Sequence, residues 1–292
     1  MPLALVHSSG QSAVPTAVLV AVLLAAVVHA LWNALAHSIT DRLVGLGLMG
    51  TATVVGGAVL VLITPAPAAA SWPYIAASAA THIAYSVLLM RSYALGDFGQ
   101  VYPLARGTSP WLTAISAAVF AHETLTATHL AGVLVVSAGL ASLVLAGGRP
   151  DRDELPAIGA ALLTGVTIVA YTTLDGIGVR QAGSPVGYAG WLFLCYGPVL
   201  PAIAIYARRE KLWSQTRPHL FAGLTGGALS LAAYGLVLWA QTRGALAPIA
   251  ALRETSVIVG AIIGAVVFHE RFGRWRIVAT VLVAGGIVIM NL

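Results

Sequence analysis

The sequence predicts an all-α membrane protein in which ten transmembrane helices form two inverted five-helix repeats around a central cavity. Three observations lead to this fold class. Apolar residues make up 59% of the chain and charged residues only 9%, with a mean hydropathy of +0.90, whereas soluble proteins carry about a quarter charged residues. Apolar runs of about 20 residues, long enough to cross a bilayer as a helix, recur throughout. Finally, Arg106-Gly-Thr-Ser is echoed by Arg253-Glu-Thr-Ser.

Proline, glycine and charge clusters divide the apolar sequence into ten predicted spans. The first run lacks a basic segment before it and has Trp32 and Asn33 where a small-residue cleavage site would lie, so we expect a retained span. Residues 147–155 join an N-terminal repeat, residues 1–146, to a C-terminal repeat, residues 156–292. The predicted spans lie near residues 14–36, 43–63, 72–91, 98–120 and 126–146, and then 156–178, 186–206, 218–241, 245–267 and 273–291.

An internal register supports the duplication. Arg106 and Arg253 are 147 positions apart, and the same offset aligns His122-Glu123 with His269-Glu270 and Gly139 with Gly286. Chance similarity between apolar segments does not maintain one register over two successive spans. Because each unit has an odd number of spans, the second unit enters the membrane from the opposite side, as in many secondary transporters.

The charge distribution bears on orientation rather than on a nucleic-acid partner. The pI is near 9.7, but the basic residues lie mainly in short loops, where membrane orientation explains them. No nucleic-acid binding is therefore expected. Loops opposite the termini carry eleven Lys and Arg residues and the terminal side carries Arg180 and Arg243, which predicts that both termini lie outside. Cys195 is the single cysteine, so no disulfide forms within one chain.

Several stretches carry a resemblance to a known family. They begin at His29 (HALWNAL), Tyr93 (YALGDFGQVYPLARG), Tyr171 (YTTLDGIGVR) and Ala251 (ALRETS), together with the two His-Glu turns. In these stretches the chain resembles the drug/metabolite transporter superfamily, in particular its EamA-type ten-span branch. The resemblance implies a basket of ten helices around a cavity and the movement of small solutes, often export of amino acids, other metabolites or drugs. It also implies a bacterial cytoplasmic (inner) membrane location, and cytoplasmic termini, which conflicts with the loop charges.

Four charged residues are predicted at bilayer depth, where each costs about 2.5–3.5 kcal/mol on insertion scales and indicates function. Arg106 and Arg253 occupy equivalent positions in the two repeats and are candidates to bind an anionic solute group. The alternative is that each arginine clamps helix ends across the repeat interface. Asp175 and Glu254 are candidates for proton coupling. Glu254 either pairs with Arg106 or faces the cavity, and Asp175 either serves function or marks a loosening helix end.

Polar and aromatic side chains complete the predicted solute site. His82 shares a helix face with Tyr85 and Ser86, and such a polar stripe must face protein or a watery cavity; hydrogen bonding between helices is the alternative. Aromatic rings at inward-looking positions are expected to line the pocket, although the interfacial belt competes as an explanation. The candidate substrate-binding residues are His82, Tyr85, Tyr102, Arg106, Tyr171, Trp191, Tyr234, Trp239 and Arg253.

The motifs that the sequence lacks narrow the function. No Walker loop, Gly-x-Ser-x-Gly elbow or dinucleotide fingerprint is found, and His122, Glu123 and His129 do not have zinc-motif spacing. We therefore expect a carrier and not an enzyme, without cofactor or metal, that moves a small solute by alternating access. A multidrug or cation exporter is the main alternative, and a lipid scramblase or intramembrane enzyme is a further one. Homodimer formation is left open.

Overall fold

The structure is a computed structural model that describes residues 14–95, 104–144, 155–267 and 273–292. The described residues contain helices and turns and no β-strand. Residues 104–107 form a short helical segment. The other α-helices in this part of the chain are α1 (Thr16–His37), α2 (Arg42–Ile63), α3 (Trp72–Leu95), α4 (Ser109–Phe120), α5 (Ala127–Val144), α6 (Leu155–Gln181), α7 (Pro185–Tyr196), α8 (Val199–Arg208), α9 (Leu212–Thr216), α10 (Leu220–Gln241), α11 (Leu246–Arg253), α12 (Thr255–Val266) and α13 (Arg274–Met290).

Six stretches in the described residues are long and apolar enough to cross a membrane. Their outward faces are apolar: Val20, Leu24 and Leu31 form one stripe on α1 and are 43–59% exposed. Buried positions carry polar and charged groups such as Asp175 and Glu254. The chain is therefore an integral membrane protein. The six stretches are Thr16–Ala36, Arg42–Ile63, Ala69–Ser92, Leu155–Gln181, Pro185–Arg208 and Leu212–Gln241, and shorter apolar helices cover Ala127–Leu143 and Ile277–Met290.

Three of the spans predicted as single helices are interrupted. A helical segment at residues 104–107 is separated from α4 by a turn at Thr108, and α11 is separated from α12 at Glu254. Both interruptions fall inside the repeated Arg-x-Thr-Ser motif. The third break lies at Gly197-Pro198, between α7 and α8, where proline lacks the N–H that a continuous helix requires.

Local chemistry sets the helix starts that matter for the site. The Asp41 side chain accepts hydrogen bonds from the backbone N–H groups of Leu43 and Val44 and so caps α2. The Ser184 hydroxyl accepts from Gly187 N–H at 3.0 Å, with Pro185 at the first helical position of α7. Both caps satisfy donors that would otherwise be left unpaired at a helix start.

Small residues allow close packing between particular helices. A Cβ added at Gly50 of α2 would lie 2.6 Å from Pro201 Cδ, and one at Gly57 would lie 3.0 Å from the carbonyl oxygen of Gly190. α2 therefore packs directly on the α7–α8 pair. The other main pairs are α1 with α10, α3 with α6 and α5 with α13. Together these helices surround a cavity that lies toward one end of the bundle.

Candidate functional site

A cavity of about 310 Å³ lies near the end of the bundle where α1 ends and α2 begins, here called the far end. The second halves of α1 and α3 and the first half of α2 form one part of its wall. The middle of α6 and α10, the junction of α7 and α8, and the end of α11 complete it. Six of the predicted substrate-binding residues line this cavity, namely His82, Tyr85, Arg106, Tyr171, Tyr234 and Arg253.

The cavity continues toward the far end into a wider pocket. The two share Arg42, Leu46 and Met90. The wall of the wider pocket carries charged groups, including Asp41 and Arg208. Among the described residues, a polar vestibule therefore leads to the cavity from this end.

A buried ion pair joins Arg106 to the break between α11 and α12. Arg106 Nε donates to Glu254 Oε2 at 2.9 Å, and an Arg106 terminal nitrogen donates to the Ser256 hydroxyl at 3.2 Å. The Arg106 and Glu254 side chains are 6% and 3% exposed. Of the alternatives open for Glu254, the structure shows pairing with Arg106. Such a pair neutralises two charges that would be costly apart at bilayer depth.

Arg253 is placed differently from Arg106. It is 9% exposed and lies on the cavity wall. Within the described part of the chain, its guanidinium makes no hydrogen bond and no ion pair. It lies close enough to Asp175, Glu254 and His82 to interact with them electrostatically. The cavity therefore presents a guanidinium whose donors are available to a ligand.

Aromatic rings cover the wall next to this guanidinium. The imidazole of His82 stacks between Tyr171 and Tyr196, with ring centroids 4.1 Å and 4.5 Å away. The Tyr234 ring meets the His82 ring edge-on at 5.6 Å, and Tyr85 meets Tyr171 edge-on at the same distance. These side chains come from four different helices, α3, α6, α7 and α10. They form an apolar surface with hydroxyl groups, suited to the organic part of a solute.

Asp175 lies behind this aromatic wall and is fully buried. Its carboxylate accepts from the Tyr188 hydroxyl at 2.9 Å and from the Tyr234 hydroxyl, and the Ser78 hydroxyl lies nearby. α6 continues to Gln181, well beyond this position. The alternative that Asp175 marks a loosening helix end is therefore wrong.

Three predicted residues are not placed on the cavity. Trp191 packs edge-on against Trp72, 4.9 Å between ring centroids, away from the cavity wall. The Trp239 ring lies under the Arg243 guanidinium at 4.2 Å and packs against the apolar core. Trp191 and Trp239 lie on the expected helices, but the sequence does not show which side of the helix each ring faces. Tyr102 falls outside the described residues.

Several cavity residues were missed or undervalued by the sequence reasoning. Tyr196 lies on the cavity wall beside the Gly197-Pro198 break and was not among the candidates. His29, Trp32 and Asn33 line the cavity as well, and Trp32 Nε1 donates to His29 Nδ1 at 3.2 Å. Their shared helix face was visible in the sequence, but it did not distinguish a cavity from a helix interface.

The end of the bundle where α1 begins and α13 ends carries a second charged cluster. Arg180 donates to Glu123 Oε1 at 2.6 Å and to the carbonyl oxygens of Gln241 and Gly244, each at 2.8 Å. Glu123 also accepts from the backbone N–H of Leu246 at 2.8 Å and so caps α11. This cluster, here called the Arg180 latch, ties together the α4–α5 loop, the end of α6, the end of α10 and the start of α11.

An ion pair also joins two helices at the far end. Arg208 donates to Asp41 through Nε at 2.7 Å and through a terminal nitrogen at 3.2 Å. Hydrogen bonding to the Arg208 guanidinium, aided by the capped backbone N–H groups, lowers the pKa of Asp41 below its ordinary value. The pair links the start of α2 to the end of α8 beside the vestibule.

Comparison with known proteins agrees with this architecture. Residues 155–292 match the EamA-like transporter family. A crystal structure of a protein 19% identical to this chain has the same fold, with a TM-score of 0.73 over 94% of this chain and 98% of that one. No curated protein matches the chain at a significant level. An EamA-like transporter domain is therefore present, and it indicates a membrane transporter of small solutes.

Proposed function

From the presence of an EamA-like transporter domain, we propose that the chain is a secondary transporter of small organic solutes that carry a carboxylate, most simply amino acids or related metabolites. The observation that carries the proposal is Arg253, a guanidinium on the cavity wall that no described residue accepts from. A guanidinium binds carboxylates through paired hydrogen bonds. The stacked rings of His82, Tyr171 and Tyr196 beside it accommodate the remainder of such a solute.

The proposal includes two inverted five-helix repeats with a pseudo-two-fold relation. Helix pairing supports it: α3 packs on α6 as α10 packs on α1, and α5 packs on its repeat partner α13. Individual contacts follow the same relation. Gly132 approaches Gly286, and their repeat equivalents, Ala279 and Gly139, approach each other, with 3.2 Å between a Cβ built on Gly139 and the Ala279 carbonyl oxygen.

This relation also explains why the two arginines differ. Arg106 pairs with Glu254, so the repeat equivalent of that contact would join Arg253 to position 107. Position 107 is glycine, and a Cβ added there would lie 3.2 Å from Leu140 Cβ. No carboxylate of this kind is thus available to Arg253. One arginine clamps the two repeats and the other remains open to a ligand.

Alternating access is the transport mechanism that this arrangement favours. The cavity adjoins the vestibule at the far end, while the Arg180 latch joins four segments at the opposite end. Movement of one repeat against the other would break the latch and expose the same cavity to the other side. We also propose that the chain exports its solute from the cytoplasm across a bacterial inner membrane and that both of its termini lie outside. In that setting a solute gradient drives the net flux.

A cation or multidrug exporter is the second candidate. The specific observation in its favour is the tyrosine-rich wall, because aromatic faces attract organic cations, together with the nearby carboxylate of Asp175. Arg253 on the same cavity wall opposes this reading, since like charges repel in a site of low dielectric. Among the described residues, no comparable feature favours a lipid scramblase or an intramembrane enzyme.

The test is counterflow in liposomes containing the purified chain, with radiolabelled amino acids in one arm and tetraphenylphosphonium in the other. We expect saturable exchange of at least one amino acid. Arg253→Gln should slow it roughly tenfold to a hundredfold at subsaturating solute, the worth of a charge-assisted hydrogen bond of about 1.5–3 kcal/mol, and Arg253→Lys should recover part of the loss. Arg243→Gln is the matched control, since its guanidinium lies on Trp239 at the exposed surface.

The outcomes separate the two candidates. Exchange of amino acids that depends on the charge at position 253 supports the carboxylate carrier. Exchange of tetraphenylphosphonium that improves when Arg253 is neutralised supports the cation exporter and overturns the carboxylate proposal. Exchange of amino acids that is indifferent to Arg253→Gln shows that the solute binds elsewhere.

A further inference from the structure

The two buried carboxylates of the site have different partners. Glu254 is bound to the Arg106 guanidinium at 2.9 Å. Asp175 is bound only by neutral hydroxyl groups among the described residues, those of Tyr188 and Tyr234. A carboxylate committed to an arginine keeps its charge, because guanidinium donates hydrogen bonds and accepts none. The two carboxylates are therefore unequal as proton sites.

Hydroxyl partners suit both protonation states of Asp175. A hydroxyl donates to a carboxylate, and by rotating it also accepts from a protonated carboxyl group. When a proton from cavity water bonds to one Asp175 oxygen, the new O–H donates to a hydroxyl oxygen and the remaining hydroxyl still donates to the other oxygen. Asp175 therefore has a hydrogen-bond partner in either state.

Two short connections lead from Asp175 to the cavity. Tyr234 lines the cavity and binds Asp175 directly. On the other side, His82 also lines the cavity, and its Nδ1 lies 3.0 Å from the Ser78 carbonyl oxygen and 3.2 Å from the Ser78 hydroxyl. Because a carbonyl oxygen only accepts, the 3.0 Å contact is a hydrogen bond in the tautomer in which Nδ1 carries the proton. Ser78 also lies close to Asp175. Each connection provides a hydroxyl step between the cavity and the carboxylate.

The charges around the cavity depend on one another. With the Arg106–Glu254 pair neutral, the buried charges that remain beside the cavity among the described residues are Arg253 on the wall and Asp175 behind it. Arg253 acts electrostatically on Asp175. A solute carboxylate bound to Arg253 would cancel that attraction for the Asp175 charge. The titratable and charged groups that face Asp175 are His82 from α3, Tyr188 and Tyr196 from α7, Tyr234 from α10 and Arg253 from α11.

We propose that Asp175 is a proton-binding site whose protonation is linked to the binding of a solute carboxylate at Arg253, so that solute and proton cross the membrane together. The inference rests on the proposed function. Of the two candidate carboxylates, Asp175 and Glu254, it assigns proton binding to Asp175. Linkage is reciprocal, so a protonated Asp175 also strengthens carboxylate binding. An inward proton gradient then opposes export of the solute, and an outward solute gradient carries protons out with it.

Infrared difference spectroscopy of the full chain in lipid tests the proton site without transport. Spectra are recorded across about pH 5 to pH 9, the range in which buried carboxyl groups titrate, with ¹³C-labelled aspartate to distinguish Asp from Glu bands. We expect a carboxylic acid band of aspartate that titrates in this range, disappears in Asp175→Asn and persists in Glu254→Gln. If Asp175→Asn does not fold, Tyr234→Phe should shift the frequency of the same band, because one hydrogen-bond donor is lost.

Neutralising Arg253 tests the linkage without a solute. In Arg253→Gln the acid band of Asp175 should persist to higher pH, as it would with a carboxylate bound, whereas Arg243→Gln should leave it in place. A band insensitive to Arg253→Gln overturns the linkage, and no titrating aspartate band overturns the proton site. A third outcome is that no counterflow is found although the aspartate band is present and shifts in Arg253→Gln as expected. That outcome contradicts the proposed function and leaves the proton site in place.

Discussion

Arg106 and Glu254, 148 positions apart in the chain, form a buried ion pair with 2.9 Å between Arg106 Nε and Glu254 Oε2. The contact joins the helical segment at residues 104–107 to the break between α11 and α12. It therefore crosses between the two halves of the sequence. The neighbouring Arg253 is left facing the cavity, so this contact distinguishes the paired arginine from the one on the cavity wall.

Breaking this pair on one side should destabilise the protein more than removing both charges. Arg106→Gln leaves Glu254 charged and buried, with an expected cost of about 3–5 kcal/mol. The double variant Arg106→Gln and Glu254→Gln replaces the ion pair by neutral amides and should recover a large part of that loss. Thermal unfolding in detergent measures both. A double variant less stable than either single variant would contradict the assignment of the pair as a charge-neutralising clamp.

Removing the Arg180 latch should favour opening at the end of the bundle near the termini. Arg180→Ala deletes three hydrogen bonds that join α6 to Glu123, Gln241 and Gly244. Val22 is fully buried in the apolar cluster between the cavity floor and the latch. In a Cys195→Ser background, we expect Val22→Cys to react about tenfold faster with an impermeant thiol reagent once Arg180 is replaced, since one charge-assisted bond is worth about 1.5–3 kcal/mol.

The control for the latch is Arg209→Ala at the far end. Arg209 is exposed, and its contacts with the described residues are with Tyr206 in the preceding turn. This variant should leave the labelling rate of Val22→Cys unchanged. Equal acceleration by both arginine variants would mean that the labelling reports general loosening and not the opening of one end.

Two adjacent glycines of α13 should respond differently to alanine. A Cβ at Gly286 would lie 2.7 Å from the carbonyl oxygen of Gly132 in α5, a backbone atom that cannot move away by rotation. Gly286→Ala should therefore destabilise the protein by about 1–3 kcal/mol. Gly285 has no atom within 4 Å of an added Cβ, and Gly285→Ala should be neutral or stabilising by up to about 1 kcal/mol. Thermal unfolding of the two variants checks the α5–α13 contact.

The Asp41–Arg208 pair predicts a defined pH dependence of stability. Because Arg208 lowers the pKa of Asp41 in the folded protein, the pair stabilises fully above the ordinary Asp pKa and loses its contribution as the pH falls through the lowered value. Asp41→Asn retains a side-chain oxygen that caps α2 but removes the charge. The unfolding temperatures of parent and variant should differ at pH 7 and converge in strong acid. A difference that grows on acidification would contradict this assignment.

The membrane character of the chain and its helical structure could be predicted from local sequence properties. Runs of about 20 apolar residues leave little choice but helices, since every backbone group must find a partner within its own segment. The repeated Arg106-Gly-Thr-Ser and Arg253-Glu-Thr-Ser motifs also identified the segments that approach the site. They did not show that each motif interrupts its helix, because a single helix with one turn at Thr108 or Glu254 has the same hydropathy as a continuous one.

The direction that each side chain faces around its helix was harder to predict from the sequence. Tyr171 and Tyr234 line the cavity, whereas Trp191 and Trp239, chosen by the same argument, lie on other faces. An aromatic residue in a membrane helix has the same local signature whether it faces a cavity, another helix or lipid. Only the packing of α7 and α10 against their neighbours decides which.

The sequence by itself determined that the chain lies in the membrane, that its segments are helices, and that Arg106, Asp175, Arg253 and Glu254 are buried charges in need of partners. These follow from composition and spacing, which act locally along the chain. Which carboxylate meets which arginine was decided only by the tertiary structure. Partners 148 positions apart are brought together by the packing of whole helices, and a rotation or shift of one helix by a single residue would exchange a paired charge for an open binding group.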